Sequence, residues 1–188
     1  SRIGIRVGLA LSATLLSAFA SAGIVSTTGN VLLISPPPSV VVNSGLESDT
    51  TAFLFEEVLN YLLGSPAPVD FSVPGSYSPG TIPVGTVVDS YYYHSDPIGA
   101  DPANGQNYAG SITFDKEVLG IAALDASLNA TQFLGAPGTL YDGGRALELA
   151  LNVEGVLISA NRRTVFFLNG ANVAADDFRI ITVPEPAT

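Results

Sequence analysis

The run Val87-Val88-Asp89-Ser90-Tyr91-Tyr92-Tyr93-His94 decides the fold. It is dense in β-branched and aromatic residues, which suit a pleated, half-buried surface. Pro83 and Gly85 interrupt the chain before it, and Asp96-Pro97 interrupts it after, so the run reads as one strand. Side chains alternate along a strand, so Tyr91 and Tyr93 share a face and Tyr92 takes the other.

Similar short runs lie on both sides. Val31 to Ile34 is halted by Pro36-Pro37-Pro38, and Val40 to Val42 by Asn43-Ser44-Gly45. Thr51 to Val58 alternates, with Phe53 and Phe55 on one face and Leu54 on the other, and so does Val69 to Val73. Residues 56–63 also fit one or two helical turns, because Val58, Leu59, Leu62 and Leu63 have helical spacing. Residues 74–86, 96–107 and 126–141 are rich in Gly, Pro and Asx and read as loops. Strands are expected at 110–115 and 118–124 around the turn Asp115-Lys116-Glu117, then at 146–151, 156–159, 164–168 and 177–183. About ten short strands and almost no helical period predict an all-β chain: a single β-sandwich of jelly-roll type over residues 23–182, with a short helical turn as the alternative near 56–63.

Composition narrows the function. Seven Lys and Arg against seventeen Asp and Glu give a formal charge of −10. Such a surface repels phosphate backbones, so no nucleic-acid partner is expected. Charged residues are only 13% of the chain and cysteine is absent, which excludes thiolate chemistry and Cys-zinc sites. A chain without disulfides must be held by its core alone.

The two ends read as addresses. Arg2 and Arg6 form a positive start, Val7 to Phe19 an apolar run too short to span a bilayer, and Ala20-Ser21-Ala22 a small-x-small cleavage site. Residues 1–22 are therefore expected to be a signal peptide, removed after Ala22 by signal peptidase. At the other end, Val183-Pro184-Glu185-Pro186-Ala187-Thr188 resembles the opening of the PEP-CTERM sorting signal. That resemblance implies an exosortase substrate, with a hydrophobic helix and a basic cluster expected beyond Thr188 and only transient membrane contact. Pro184 and Pro186 also end any strand, since each fixes φ and lacks an N–H. Gly85 to Pro97, Gly110 to Gly120, Leu134 to Tyr141, Arg145 to Leu149 and Asp177 to Thr182 are similar to an uncharacterised group of PEP-CTERM proteins. The resemblance implies a secreted or surface-held β-sandwich of a Gram-negative-type bacterium, with no catalytic residues to carry over.

Candidate chemistry is sparse. His94 is the single histidine. Asp89, Asp96 and many serines could join it, but no Gly-x-Ser-x-Gly turn occurs. Glu56 and Glu57 are adjacent, so a strand would turn them to opposite faces, whereas Glu148 and Glu154 flank an expected hairpin and could meet as an acid pair. Calcium is the one cofactor considered. Asp96, Asp101, Asn104 and Asn107 share one loop, and Asp125 and Asn129 another, although Asx turns use the same residues. Tyr91 and Tyr93 are the candidates for stacking on a sugar ring of an exopolysaccharide. The leading expectation is a non-enzymatic envelope or matrix protein acting through its surface. A carbohydrate-binding module is the alternative, and a hydrolase using His94 or Glu148 stands third.

Overall fold

The computed structural model describes residues 23–99, 106–149, 154–171 and 175–184. The chain runs β1 (Ile24–Thr28), β2 (Val31–Leu33), β3 (Ala52–Leu62), β4 (Ala67–Val69), β5 (Gly80–Ile82), β6 (Val87–Ser95), β7 (Gln106–Phe114), β8 (Val118–Ala122), α1 (Asp125–Ala130), a 3-10 turn (Gln132–Leu134), β9 (Gly155–Ile158), β10 (Thr164–Ala171) and β11 (Asp176–Thr182). One sheet has the order β1-β7-β10-β9 and the other β2-β3-β6-β11-β8, while β4 and β5 pair separately. All pairings are antiparallel except β2 with β3. The fold is an all-β sandwich.

The tyrosine strand lies at the centre of the five-stranded sheet, between β3 and β11. Tyr91 and Tyr93 point between the sheets. Tyr91 meets Phe114 at 5.0 Å between ring centroids, and Tyr93 stacks on Phe178 at 4.2 Å and tilts against Phe167 at 4.8 Å. Leu54, Ile112, Ile121, Ile158, Val165 and Ile180 fill the same core. Tyr92 points the other way, into a second apolar cluster with Val40, Phe55, Ala122, Leu128 and Ala136. Phe55 and Ala122 belong to β3 and β8 of this sheet, while Val40, Leu128 and Ala136 come from α1 and the loops around 40 and 136, which form a third layer over it. Nearly every residue of β6 is therefore buried, whichever way it points.

Several expectations are corrected. Residues 56–63 contain no helical turn: the strand β3 runs through to Leu62. Its register slips between Glu56 and Val58 and again between Val58 and Tyr61, and these extra residues create the helix-like spacing. Asn60, at φ 52°, takes up the second irregularity, and its N–H donates to Asp89 Oδ1 at 2.7 Å. Asp89 is held in turn by Lys116 Nζ at 2.6 Å. Val40 to Val42 is not a strand. After three prolines the chain wraps over the sheet as a strap, with Val40 buried and its N–H bonded to Leu140 O. Residues 146–149 form no strand, residues 74–86 contain β5, and residues 126–141 contain most of α1 and the 3-10 turn. The first strand, β1, was not expected from the sequence.

Helix α1 lacks a capping side chain of its own. Asp70, from the loop after β4, serves instead: Oδ2 accepts the N–H groups of Ala123 at 2.7 Å and Leu124 at 2.9 Å, and the hydroxyl of Ser127. Asp70→Ala would take this acceptor from the Ala123 and Leu124 N–H groups, while the Ser127 hydroxyl could still reach Leu124 O. A loss of about 3 kcal/mol in urea unfolding is expected, with Asp70→Asn recovering part of it. Equal stability of wild type and Asp70→Ala would refute the capping role.

Candidate functional site

The ionisable side chains gather on the outer face of the five-stranded sheet, beneath the third layer. Alternation in β11 sends Asp177 and Arg179 to this face, and β6 contributes Ser90, Tyr92 and His94. In β3 alternation sets Glu57 on the same face as Phe55. Arg179 is fully buried and grips Glu57 with two parallel bonds, Nε to Oε2 at 2.6 Å and Nη2 to Oε1 at 2.8 Å. Its Nη1 donates to Leu128 O at 3.1 Å and Thr131 Oγ1 at 2.8 Å, so one guanidinium ties β11 to β3 and to the end of α1. Glu57 also accepts from Ser90 Oγ at 2.5 Å and Tyr141 OH at 2.7 Å. Burial alone would lower the Arg179 pKa, but the Glu57 carboxylate raises it.

Arg145 lies against the same rings, with its guanidinium carbon 5.9 Å from the Tyr92 centroid and 5.5 Å from that of Tyr141. Arg179 sits 5.4 Å from the Tyr92 centroid. Two cations thus face one aromatic pair, Tyr92 and Tyr141, whose centroids are 4.9 Å apart.

Asp177 joins this network to His94. Its Oδ2 accepts from Tyr92 OH at 2.7 Å, and its Oδ1 lies 2.7 Å from His94 Nδ1. His94 Nε2 lies 3.2 Å from the carbonyl oxygen of Leu46. Both ring nitrogens face acceptors, so the protonated ring, with an N–H on each, satisfies both contacts. Burial favours the neutral ring, but Asp177 outweighs it and raises the pKa above the ordinary value. The Asp-His pair resembles two parts of a hydrolytic triad. The nitrogen that would face a nucleophile is taken by a backbone carbonyl, and the ring has no exposure.

The remaining candidates lie apart. Asp96 is buried, and its Oδ2 accepts the N–H of Asn43 at 3.0 Å, fastening the strap. Asp125 accepts the N–H of Arg145 at 2.8 Å, and Asn129 donates to Gly143 O at 3.1 Å. These are bonds to backbone groups distant in sequence, which tie loops together and are not Asx turns. Among the described residues no three His, Cys, Asp or Glu side chains cluster to hold a metal. Asp101 and Asn104 lie outside the described residues, as do Ala20, Ala22, Glu185 and Pro186. Pro184 is described and follows directly on Val183, whose N–H bonds Glu117 O at 2.9 Å.

Glu148 and Glu154 do come together, but through the backbone: Glu154 Oε2 accepts the Glu148 N–H, and Oε1 accepts the Gly170 N–H at 3.1 Å. Beside them Asp176 is pushed up to about 8, first by burial and then by the charge of Glu154. The stacking role expected for Tyr91 and Tyr93 is corrected. Both have no solvent exposure, because the face they share is the one that closes on the four-stranded sheet. No protein family, curated protein or solved structure matches this chain.

Proposed function

We propose that the chain is an exported, exosortase-processed surface or matrix protein without catalytic activity, working through its outer faces. The observation that carries this reading is the use made of Glu57, His94, Asp177 and Arg179. Each is buried and bonded to a neighbouring strand, the strap or α1. Reactive side chains spent in this way fasten a covering layer and meet no substrate. The signal-like start and the Val-Pro-Glu-Pro end supply the destination.

Expression in a bacterium with an exosortase system tests it. The mature N-terminus is expected at Gly23 and the protein in the envelope or medium. Recovery from cytosol with residues 1–22 intact would refute export.

A further inference from the structure

Lys116 is the only lysine in the chain, and it is 7% exposed. It lies in the turn between β7 and β8. Its Nζ is 2.6 Å from Oδ2 of Asp89, a residue of β6 with 1% exposure. The other oxygen of that carboxylate, Oδ1, accepts the N–H of Asn60 at 2.7 Å. Asn60 holds φ 52°, a left-handed position that few residues other than Gly, Asn and Asp take. Gly23 closes the site from the start of β1. A side chain there would come within 2.6 Å of the Tyr91 hydroxyl and 3.1 Å of Lys116 Nζ, so only a hydrogen fits. The hydroxyl and the amine thus border one small space. The buried pair Arg179–Glu57 is built differently, with two parallel bonds from a planar guanidinium. A guanidinium stays charged, whereas an ammonium that gives up a proton becomes a nucleophile. The chain has six arginines and sets its one side-chain amine here, against a buried acid.

We infer that Lys116 and Asp89 condense into an intramolecular isopeptide bond once the chain has folded. A proton passes from Nζ to Oδ2 across the 2.6 Å contact, which replaces two poorly solvated charges by an amine and an acid. The Nζ lone pair then attacks Cγ of Asp89. Negative charge develops on Oδ1, where the Asn60 N–H already points, as an oxyanion donor does. A proton moves from the nitrogen to the Oδ2 hydroxyl, with the Tyr91 hydroxyl placed to relay it, and Oδ2 leaves as water. One C–N bond forms, one C–O bond breaks, and the balance needs no oxidant and no co-reactant. Holding amine and acid in contact replaces the chemical activation that the two would need when free in water. Burial also favours the product, because the amide carries no charge and the water escapes to solvent. The bond joins the centre of the five-stranded sheet to the turn where the chain crosses from the other sheet. In a chain without cysteine it takes the place of a disulfide. It forms once in every folded copy, exported or not, and turns over no substrate.

Intact-mass spectrometry of the folded chain, kept for several days at neutral pH, tests it. The mass is expected about 18 Da, one water, below that calculated from the sequence between its determined ends. After denaturation, trypsin should leave the chain uncut at Lys116, whose amine is now an amide. Chymotryptic fragments carrying Asp89 and Lys116 should stay joined in one branched species. Lys116→Arg keeps the cation and loses the nucleophile, so it should show the full mass and a lower melting temperature than wild type. Wild-type protein that melts cooperatively yet keeps its full mass would overturn the inference, and this result needs no variant to fold. A lost water without the branched species would overturn it too, since an internal succinimide at an acid also sheds water. So would Lys116→Arg protein that still loses a water.

Discussion

Arg179→Ala is expected to destabilise the fold by about 3–5 kcal/mol, a large share of what a domain of this size possesses. The loss exceeds that of a truncated side chain because of what stays behind. Glu57 would remain buried, its charge answered only by the hydroxyls of Ser90 and Tyr141. Leu128 O and Thr131 Oγ1 would lose their donor at the end of α1. The double variant Arg179→Met with Glu57→Leu removes both charges and should recover much of the loss, since a buried ion pair gives little net stability over apolar side chains of similar size. Urea unfolding of the wild type, each single variant and the double variant measures the coupling. Two single losses that simply add would show that Arg179 and Glu57 do not act as a pair.

The second large effect is a decline of stability with alkali. His94 binds its proton more tightly when folded than when unfolded, so its contribution is complete below the ordinary histidine range and is lost as pH rises through its raised pKa. Asp176 acts in the same direction. Its folded pKa of about 8 means that folding favours the protonated acid, so stability falls from the usual carboxylate range up to about 8. Thermal unfolding is therefore expected to peak at mildly acidic pH and to fall through neutrality. Asp177→Asn should cost about 3 kcal/mol near pH 6, by leaving a buried imidazolium without its counter-charge, and should flatten the alkaline limb. As the chain has one histidine, a single imidazole resonance reports the titration directly. A midpoint below 6.5, or a neutral ring at pH 6, would contradict the two-acceptor geometry around His94.

Much of the sandwich was legible because its strands announce themselves by period and by turn residues. β6, β7, β8, β10 and β11 all lie on runs rich in Val, Ile, Phe, Tyr and Thr. The failures have one cause, tertiary context overriding local pattern. The slips in β3 interrupt its pairing with β6 after Glu56, and the groups that bond there, Arg179 to Glu57 and Asp89 to Asn60, are distant in sequence. Val40 has the composition of a strand residue but the place of a cover, because the face it covers belongs to β3 and β6. The buried network did leave a trace. Asp177 and Arg179, opposite in charge and two residues apart, alternate with Phe178, Ile180 and Ile181 in the stretch Asp177 to Ile181, and such a pair on one side of a strand calls for buried partners. What no local reading could supply was that His94 would find Asp177 rather than Asp89 or Asp96, since that pairing is settled only when β11 adds alongside β6.

The first described residues bind both halves of the molecule. β1 forms an edge of the four-stranded sheet, and β2 an edge of the five-stranded one. Only Gly29 and Asn30 lie between them, and Gly29, at φ 74°, fits so closely under Ala109 O that no side chain could replace its hydrogen. Ile24 is the second residue after the expected scission point at Ala22. Little slack would then separate the discarded leader from the architecture. A protease that strayed by half a dozen positions would strip β7 of its neighbour and leave a raw strand margin open to any passing chain. The fidelity of that single cut would decide whether the cell releases a sealed sandwich or a sticky one.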